Sequence, residues 1–282
     1  MAIDDKTVLG PVGLTVRNLA AMVEFYQRNI GLKLLPSAAN TAVLAADNRP
    51  LLTLQENPQA THPGRTTGLY HFAILLPSRN ALATQLRHLM QNGVPLQGAA
   101  DHLVSEALYL ADPEGNGIEI YRDRPRDHWP RTNGQLSMAT NPLDFADLLA
   151  QTKASETLGS ELPAGTIMGH VHLRVSDLAA AETFYRDILG MELQLRFGHS
   201  AAFLSYHGYH HHIGINTWES RRSPAAPAGS QGLSHVVIHV PDREIWSRIE
   251  SAVRDGNIPS TRHDSKLNLR DPSGNTLVLE PP

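Results

Sequence analysis

The sequence contains no cysteine. That absence excludes disulfides, thiolate nucleophiles and every zinc or iron–sulfur site built on sulfur, and a cytoplasmic location is the expectation it favours. Long apolar runs are also missing. Nothing approaches the ~20 residues a membrane-spanning helix needs, and the opening residues MAIDDKTVLG have none of the apolar centre of a secretory signal. There is no excess of positive charge: 24 Lys and Arg against 28 Asp and Glu leave a net charge of −4, so neither nucleic acid nor a membrane is an expected partner. What remains is a globular composition, 41% hydrophobic and 18% charged, over 282 residues, enough for one large or two ordinary domains. The abundant residue is histidine, with 15 copies. With sulfur excluded, a bound metal would be held by imidazole and carboxylate.

One stretch organises the rest. In SEALYLADPEGNGIEIYRDRP, Ser105 to Pro125, Ala107, Tyr109 and Ala111 alternate with Leu108 and Leu110, the period of a strand with two unlike faces. Asp112 to Gly117 is dense turn chemistry. Beyond the turn, Glu119 and Tyr121 share one face while Ile118 and Ile120 share the other. A lone Glu in such a strand is ordinarily a solvent-facing residue, but this segment recurs as DPSGNTLVLE near the C-terminus.

A larger unit appears four times. Each copy opens with an apolar strand (Pro11–Val16, His71–Leu76, His170–Val175, His235–Val240), turns at a capping residue (Asn18, Ser78, Asp177, Asp242) and enters a helix. Gly93, Gly190 and Gly256 are expected just past the second, third and fourth helices. Three strand-like runs follow, for example Lys33–Leu35, Thr41–Ala45 and Pro50–Gln55 in the first copy, and Glu192–Arg196, Ser200–Ser205 and His210–Asn216 in the third. The unit is β-α-β-β-β, roughly 50–60 residues, too small to bury its sheet alone. An α+β fold of four such modules forming two paired-module half-barrels is therefore expected. Residues 1–122 hold two modules, about 9–57 and 69–122; residues 167–282 hold two more, about 167–218 and 233–282. Residues 123–166 form a linker with one helix expected over Asn141–Leu149, capped by Asn141 with Pro142 in its first turn.

The residues seven before the four capping positions are Pro11, His71, His170 and His235. One interior histidine is ordinarily a hydrogen-bonded core residue; three at one repeat-defined position, with Glu119 in register, point to a metal site. His172 and Arg174 follow His170 on its face. His172 either contacts a substrate or hydrogen-bonds within the fold, and Arg174 either meets an anionic substituent or pairs with a carboxylate. Asp101 and His102 form either a loop acid/base pair or a cap.

Four β-α-β-β-β units, His at the first strand and a DPxGNxxE hairpin closing the unit resemble the vicinal oxygen chelate superfamily, which includes the glyoxalase, bleomycin-resistance and extradiol dioxygenase folds. The two-domain length and the run GYHHHIGINTW are similar to its extradiol, catechol 2,3-dioxygenase-like branch. The resemblance implies Fe(II), less often Mn(II), held by two His and one Glu, and a catechol-type diol and O₂ as the small-molecule partners. It also implies a His in an H-H-x-[I/L] run as acid/base and a Tyr on the strand before the Glu.

Carried over, the acid/base position falls on His211 by alignment, although strict alternation favours His210 and His212, and the Tyr position falls on Tyr109. Modules one and two supply Pro11, His71 and Glu119, one ligand short. Modules three and four supply His170 and His235 with Val278 where Glu is needed, leaving Glu280 as an alternative ligand with His235. Modules two and three supply a complete set: His71, Glu119 and His170. That pairing is the expectation, with His172, His212, Arg174 and Tyr121 as substrate contacts and a homo-oligomer as one possible assembly. The other functions the fold implies are a non-catalytic aromatic-binding or resistance protein and a glyoxalase-like metal lyase, which needs a further ligand at the place of Gly214.

Overall fold

The computed structural model describes residues 8–153 and 161–282; the first residues of the N-terminus and a stretch of the linker lie outside these. The β-α-β-β-β order occurs four times. The first module has β1 (Leu9–Val16), α1 (Leu19–Phe25), β2 (Lys33–Leu35), β3 (Thr41–Ala46) and β4 (Arg49–Glu56). The second has β5 (Gly68–Leu75), α2 (Arg79–Gln91), β6 (Gly98–Asp101), β7 (Ser105–Ala111) and β8 (Gly117–Asp123). The linker carries a two-stranded hairpin, β9 (Arg131–Thr132) and β10 (Gln135–Leu136), and α3 (Phe145–Leu149). The third module has β11 (Ile167–Arg174), α4 (Leu178–Thr183), β12 (Glu192–Phe197), β13 (Ala201–Ser205) and β14 (Ile213–Asn216). The fourth has β15 (Gly232–His239), α5 (Arg243–Asp255), β16 (Ser260–His263), β17 (Lys266–Arg270) and β18 (Thr276–Glu280).

Two eight-stranded sheets result, with orders β16-β17-β18-β15-β1-β4-β3-β2 and β12-β13-β14-β11-β5-β8-β7-β6. Among the described residues no helix is long and apolar enough to cross a membrane.

Three expectations are corrected. The third module's last strand begins at Ile213, not His210, so the three consecutive histidines sit in the turn before it and alternation says nothing about their directions. The linker helix begins at Phe145, where the Asp144 side chain accepts the Asp147 N–H. Asn141 instead pairs with Asp101 through two backbone hydrogen bonds of 2.9 and 3.0 Å, so this part of the linker is stitched to the end of β6. The helix closures differ too: Gly93 and Gly190 take the left-handed conformation, whereas Gly256 has an ordinary φ and Asn257 turns the chain.

The described residues form two compact units, one of residues 8–15, 59–70 and 169–282, the other of residues 16–58 and 71–168. In the latter, Asn18 and Ser78 cap α1 and α2 by accepting the N–H groups of Ala21 and Ala81. Past α1 the chain widens into a π-helical turn, Tyr26–Ile30, which sends the Tyr26 ring inward. Its hydroxyl donates to Asp112 Oδ2 at 2.7 Å. Asp112 opens the DPEGN turn and also accepts the N–H of Glu114 and both the backbone N–H and the side-chain amide of Asn116. The other unit repeats the device: a π-helical turn at Phe184–Ile188, and Tyr185 donating to Asp271 Oδ2 at 3.1 Å, with Asp271 accepting from Ser273 and Asn275. Burial pushes both carboxyls above the usual range, with the donated hydrogen bonds opposing it, and burial followed by the neighbouring carboxylate pushes both phenols up.

In β1 and β15, Gly13 is the partner of His235, whose ring lies over it: a Cβ at Gly13 would meet the imidazole at 2.3 Å. Burial, then the charge of Lys266, holds this imidazole below its ordinary pKa. Glu280 is taken by His239 Nδ1 at 2.9 Å and Lys266 Nζ at 2.5 Å.

Two measurements check these contacts. Tyr26→Phe and Tyr185→Phe should each lower stability by about 1.5–3 kcal/mol in urea unfolding, the range for a hydrogen bond to a charged acceptor; a loss below about 0.5 kcal/mol would make the tie dispensable. For His235 the folded pKa is depressed, so its contribution is complete above the unfolded value of about 6.5 and is lost as pH falls through the lower folded value. His235→Gln should therefore flatten the fall in stability between about pH 7 and 5, and an unchanged slope would mean that other groups cause it.

Candidate metal centre

The DPEGN turn fixes the register of the hairpin it closes. Tyr109 of β7 stands opposite Glu119 of β8, and β8 runs parallel to β5 with Glu119 beside Ala73. His71 lies two residues before Ala73 and hence on the same face. The outcome is a close approach of His71 Nε2 to Glu119 Oε2, 3.0 Å, with the residues 7% and 3% exposed. Tyr121, the next residue of that face, is wholly buried in an apolar cluster with Ala73, Leu75, Ala107 and Ile167, against which Tyr109 packs. It is part of the floor beneath the pair.

Tyr109 has its ring centre 5.7 Å from that of His71, and its hydroxyl is 2.6 Å from His102 Nε2. His102 Nδ1 in turn lies 2.6 Å from the Ala139 carbonyl. A carbonyl only accepts, so Nδ1 carries a proton; in the neutral ring Nε2 is then an acceptor and the Tyr109 hydroxyl donates to it. Asp101 takes the capping role, accepting the Leu103 N–H and pairing with Arg124 at 2.7 Å. The two readings of Asp101 and His102 thus divide between the residues. Nothing in the local sequence separates them, because the carbonyl that orients His102 comes from the linker.

Along β11, His170, His172 and Arg174 share a face by alternation. His170 is buried, with the His211 ring 4.1 Å from its own. His211 Nδ1 lies 2.8 Å from His210 Nδ1, so one of the two nitrogens carries the proton between them. His212 is directed differently: its Nδ1 accepts the Tyr206 N–H and its ring stacks on Tyr209 at 4.9 Å, bracing the turn from within. His172 is enclosed by Tyr70, Trp218 and Phe203, with ring centres 5.2 to 5.7 Å away. A Cβ at Gly214 would meet its ring at 2.9 Å, so this ring holds the space a fourth protein ligand would need. Arg174 approaches Glu219 loosely, at 3.5 Å. Tyr70, Phe203, Tyr209 and Trp218 were not signalled by the repeat, since they sit outside its shared positions.

Among the described residues one group of three metal-capable side chains stands out. The donor atoms of His71, Glu119 and His170 all lie within 4.8 Å of one another, and all three residues are buried. Two imidazoles and one carboxylate form the donor set of non-haem Fe(II) oxygenases, and three protein ligands leave positions open for other molecules. One carboxylate also leaves a divalent ion with net positive charge, which favours an anionic oxygen ligand. His235 and Glu280 are not drawn into any such group among the described residues.

Comparison with known proteins identifies the family. The family model Glyoxalase/Bleomycin resistance protein/Dioxygenase superfamily matches residues 8–120 and 167–279. The chain is 42% identical over 282 residues to catechol-2,3-dioxygenase of Bacillus subtilis (strain 168), covering 98% of each chain. It is 25% identical over 220 residues to biphenyl-2,3-diol 1,2-dioxygenase of Pseudomonas sp. (strain KKS102), covering 73% of this chain and 66% of that one. Glyoxalase I of Zea mays shares the fold, with a TM-score of 0.60 at 17% identity, covering 96% of this chain and 91% of that one. The chain belongs to the glyoxalase/bleomycin resistance protein/dioxygenase superfamily and is catechol 2,3-dioxygenase-like within it.

Proposed function

We propose that the protein is an extradiol dioxygenase that opens a catechol-type ring beside its diol by adding both atoms of O₂, using Fe(II) held by His71, Glu119 and His170. The observation that carries this reading is the buried donor group of two imidazoles and one carboxylate, joined to 42% identity with a catechol-2,3-dioxygenase over nearly the whole chain. In this reading the second and third modules supply the ligands, which the strand order supports. His71, Glu119 and His170 would hold the ion, and ferrous iron bound there would supply open coordination for the diol and for dioxygen.

The chain's own residues handle protons and position. His211 takes the second diol proton and returns it later, a task suited to imidazole at neutral pH. Its Nδ1 is engaged by His210, which directs the exchange to Nε2. Tyr109 donates to a substrate oxygen only when His102 Nε2 carries a proton, because the Ala139 carbonyl holds the other proton on Nδ1 and a neutral ring draws the Tyr109 proton to itself. His102 thereby sets the direction of the Tyr109 hydroxyl. His172 forms a wall of the site with its aromatic neighbours, and Tyr121 supports the floor. The lyase alternative is disfavoured by the Gly214–His172 packing.

The decisive experiment is anaerobic reconstitution with Fe(II), followed by catechols and O₂. A yellow ring-opened product is expected, and bound iron with no product from simple or substituted catechols would reject the reading. Glu119→Ala and His170→Ala should lose metal, as measured by elemental analysis, whereas His235→Ala should retain the wild-type content. His102→Ala should keep its iron yet alter kcat by about 10-fold, because the Tyr109 hydroxyl loses the acceptor that directs it; an unchanged kcat would mean that His102 does not set that direction.

A further inference from the structure

Beyond His172 the same face of β11 meets a cleft of about 470 Å³ lined by Arg65, Thr66, Arg174, Trp218 and Glu219. Two polar atoms of this lining are buried with no hydrogen-bond partner among the described residues: Thr66 Oγ1 and Arg174 Nε. Thr66 is only 5% exposed. A buried donor without an acceptor carries a desolvation penalty that a ligand can relieve. Both atoms can donate, and one is part of a guanidinium, whose planar fork matches a carboxylate.

The present neighbour of Arg174 is weakly held. Glu219 Oε2 stands 3.5 Å from Arg174 Nη1 on a side chain 64% exposed, so it can swing into water at little cost. Arg65 Nε donates to the Glu219 carbonyl at 2.8 Å and fixes the loop without using the Glu219 carboxylate. Trp218 lines the cleft and is also 5.4 Å from the His172 ring and 5.2 Å from Tyr70, so an apolar panel leads from His172 to the guanidinium.

From these features we infer that the cleft binds the carboxylate of an anionic aromatic substrate, with Arg174 and Thr66 donating to its oxygens and Trp218 packing against the arm that carries it. Alternation orders the face of β11: His170 first, His172 about 6.6 Å further, Arg174 another 6.6 Å beyond. A ring whose diol is at His170 therefore places a carboxylate-bearing side chain along His172 towards Arg174. This substrate class rests on the dioxygenase reading; the anion site itself does not.

The test uses the full-length protein as purified and two ligands without a diol, 3-phenylpropanoate and 3-phenylpropan-1-ol, titrated by calorimetry. The acid should bind about 10-fold or more tightly than the alcohol. Arg174→Gln should erase that preference, Thr66→Val should reduce it, and Glu219→Gln should strengthen it, with circular dichroism confirming that each variant is folded. Equal affinities, binding of neither ligand, or a preference that survives Arg174→Gln would overturn the inference; the last would indicate a carboxylate bound at the metal. A second measurement separates the two readings. With iron-loaded enzyme, the ratio of kcat/KM for 3-(2,3-dihydroxyphenyl)propanoate over 3-ethylcatechol should fall about 10-fold in Arg174→Gln. Turnover of both diols with a ratio that Arg174→Gln does not change refutes the anion site and leaves the dioxygenase standing. Arg174-dependent binding of the acid with no diol opened supports the site and refutes the dioxygenase.

Discussion

A carboxylate withdrawn from water needs a cation or a proton donor beside it, and Glu119 is 3% exposed in the interior of a sheet. Its neighbour at 3.0 Å is an imidazole. Much else in the second module can be read as the means of keeping that arrangement. The DPEGN turn sets the register that puts Glu119 opposite Tyr109; the parallel pairing of β8 with β5 puts it on the face of His71. The cluster around Tyr121 holds that face dry, which raises the strength of every charge interaction above it.

The tie beneath the turn explains how the register is kept. Asp112 accepts four hydrogen bonds, three from its own turn and one from Tyr26 on a neighbouring helical segment. Asp271 and Tyr185 repeat the arrangement in the other unit. The contrast with the ligand positions is informative. Both hairpins keep the buried Asp, but only one has a carboxylate seven residues after it; Val278 stands where the other has Glu119, and Pro11 stands where others have His. A buried hydrogen-bond knot is needed wherever the hairpin must pack on a helix, whereas a metal ligand is needed only where a metal is held.

On β11 a single strand carries three kinds of chemistry in sequence: an imidazole within the donor group, an imidazole wrapped by aromatic rings, and a guanidinium with a buried N–H. The 2-residue period of a strand converts this spacing in sequence into spacing in space. Gly214, opposite His172, is the concession that makes room for the middle member.

How much of this the sequence determined follows from the range of the forces involved. The four β-α-β-β-β units, their capping residues and the DPxGN turns were legible because local hydrogen bonds and short periodicities fix them; Asn18, Ser78, Asp177 and Asp242 all cap as read. The set His71, Glu119 and His170 was legible as candidates because repetition marks equivalent positions without any knowledge of distance. Other features depended on chain segments remote in sequence. His102 was indistinguishable from a cap until the Ala139 carbonyl oriented its ring, and Tyr26 was core packing until Asp112 accepted its hydrogen bond. The histidines 210 to 212 were misread as strand because alternation was assumed where the backbone turns. Local sequence sets which residues alternate, cap and turn; only tertiary packing decides which buried polar atoms find partners, and so which imidazole braces a turn, which meets a tyrosine and which joins a donor group.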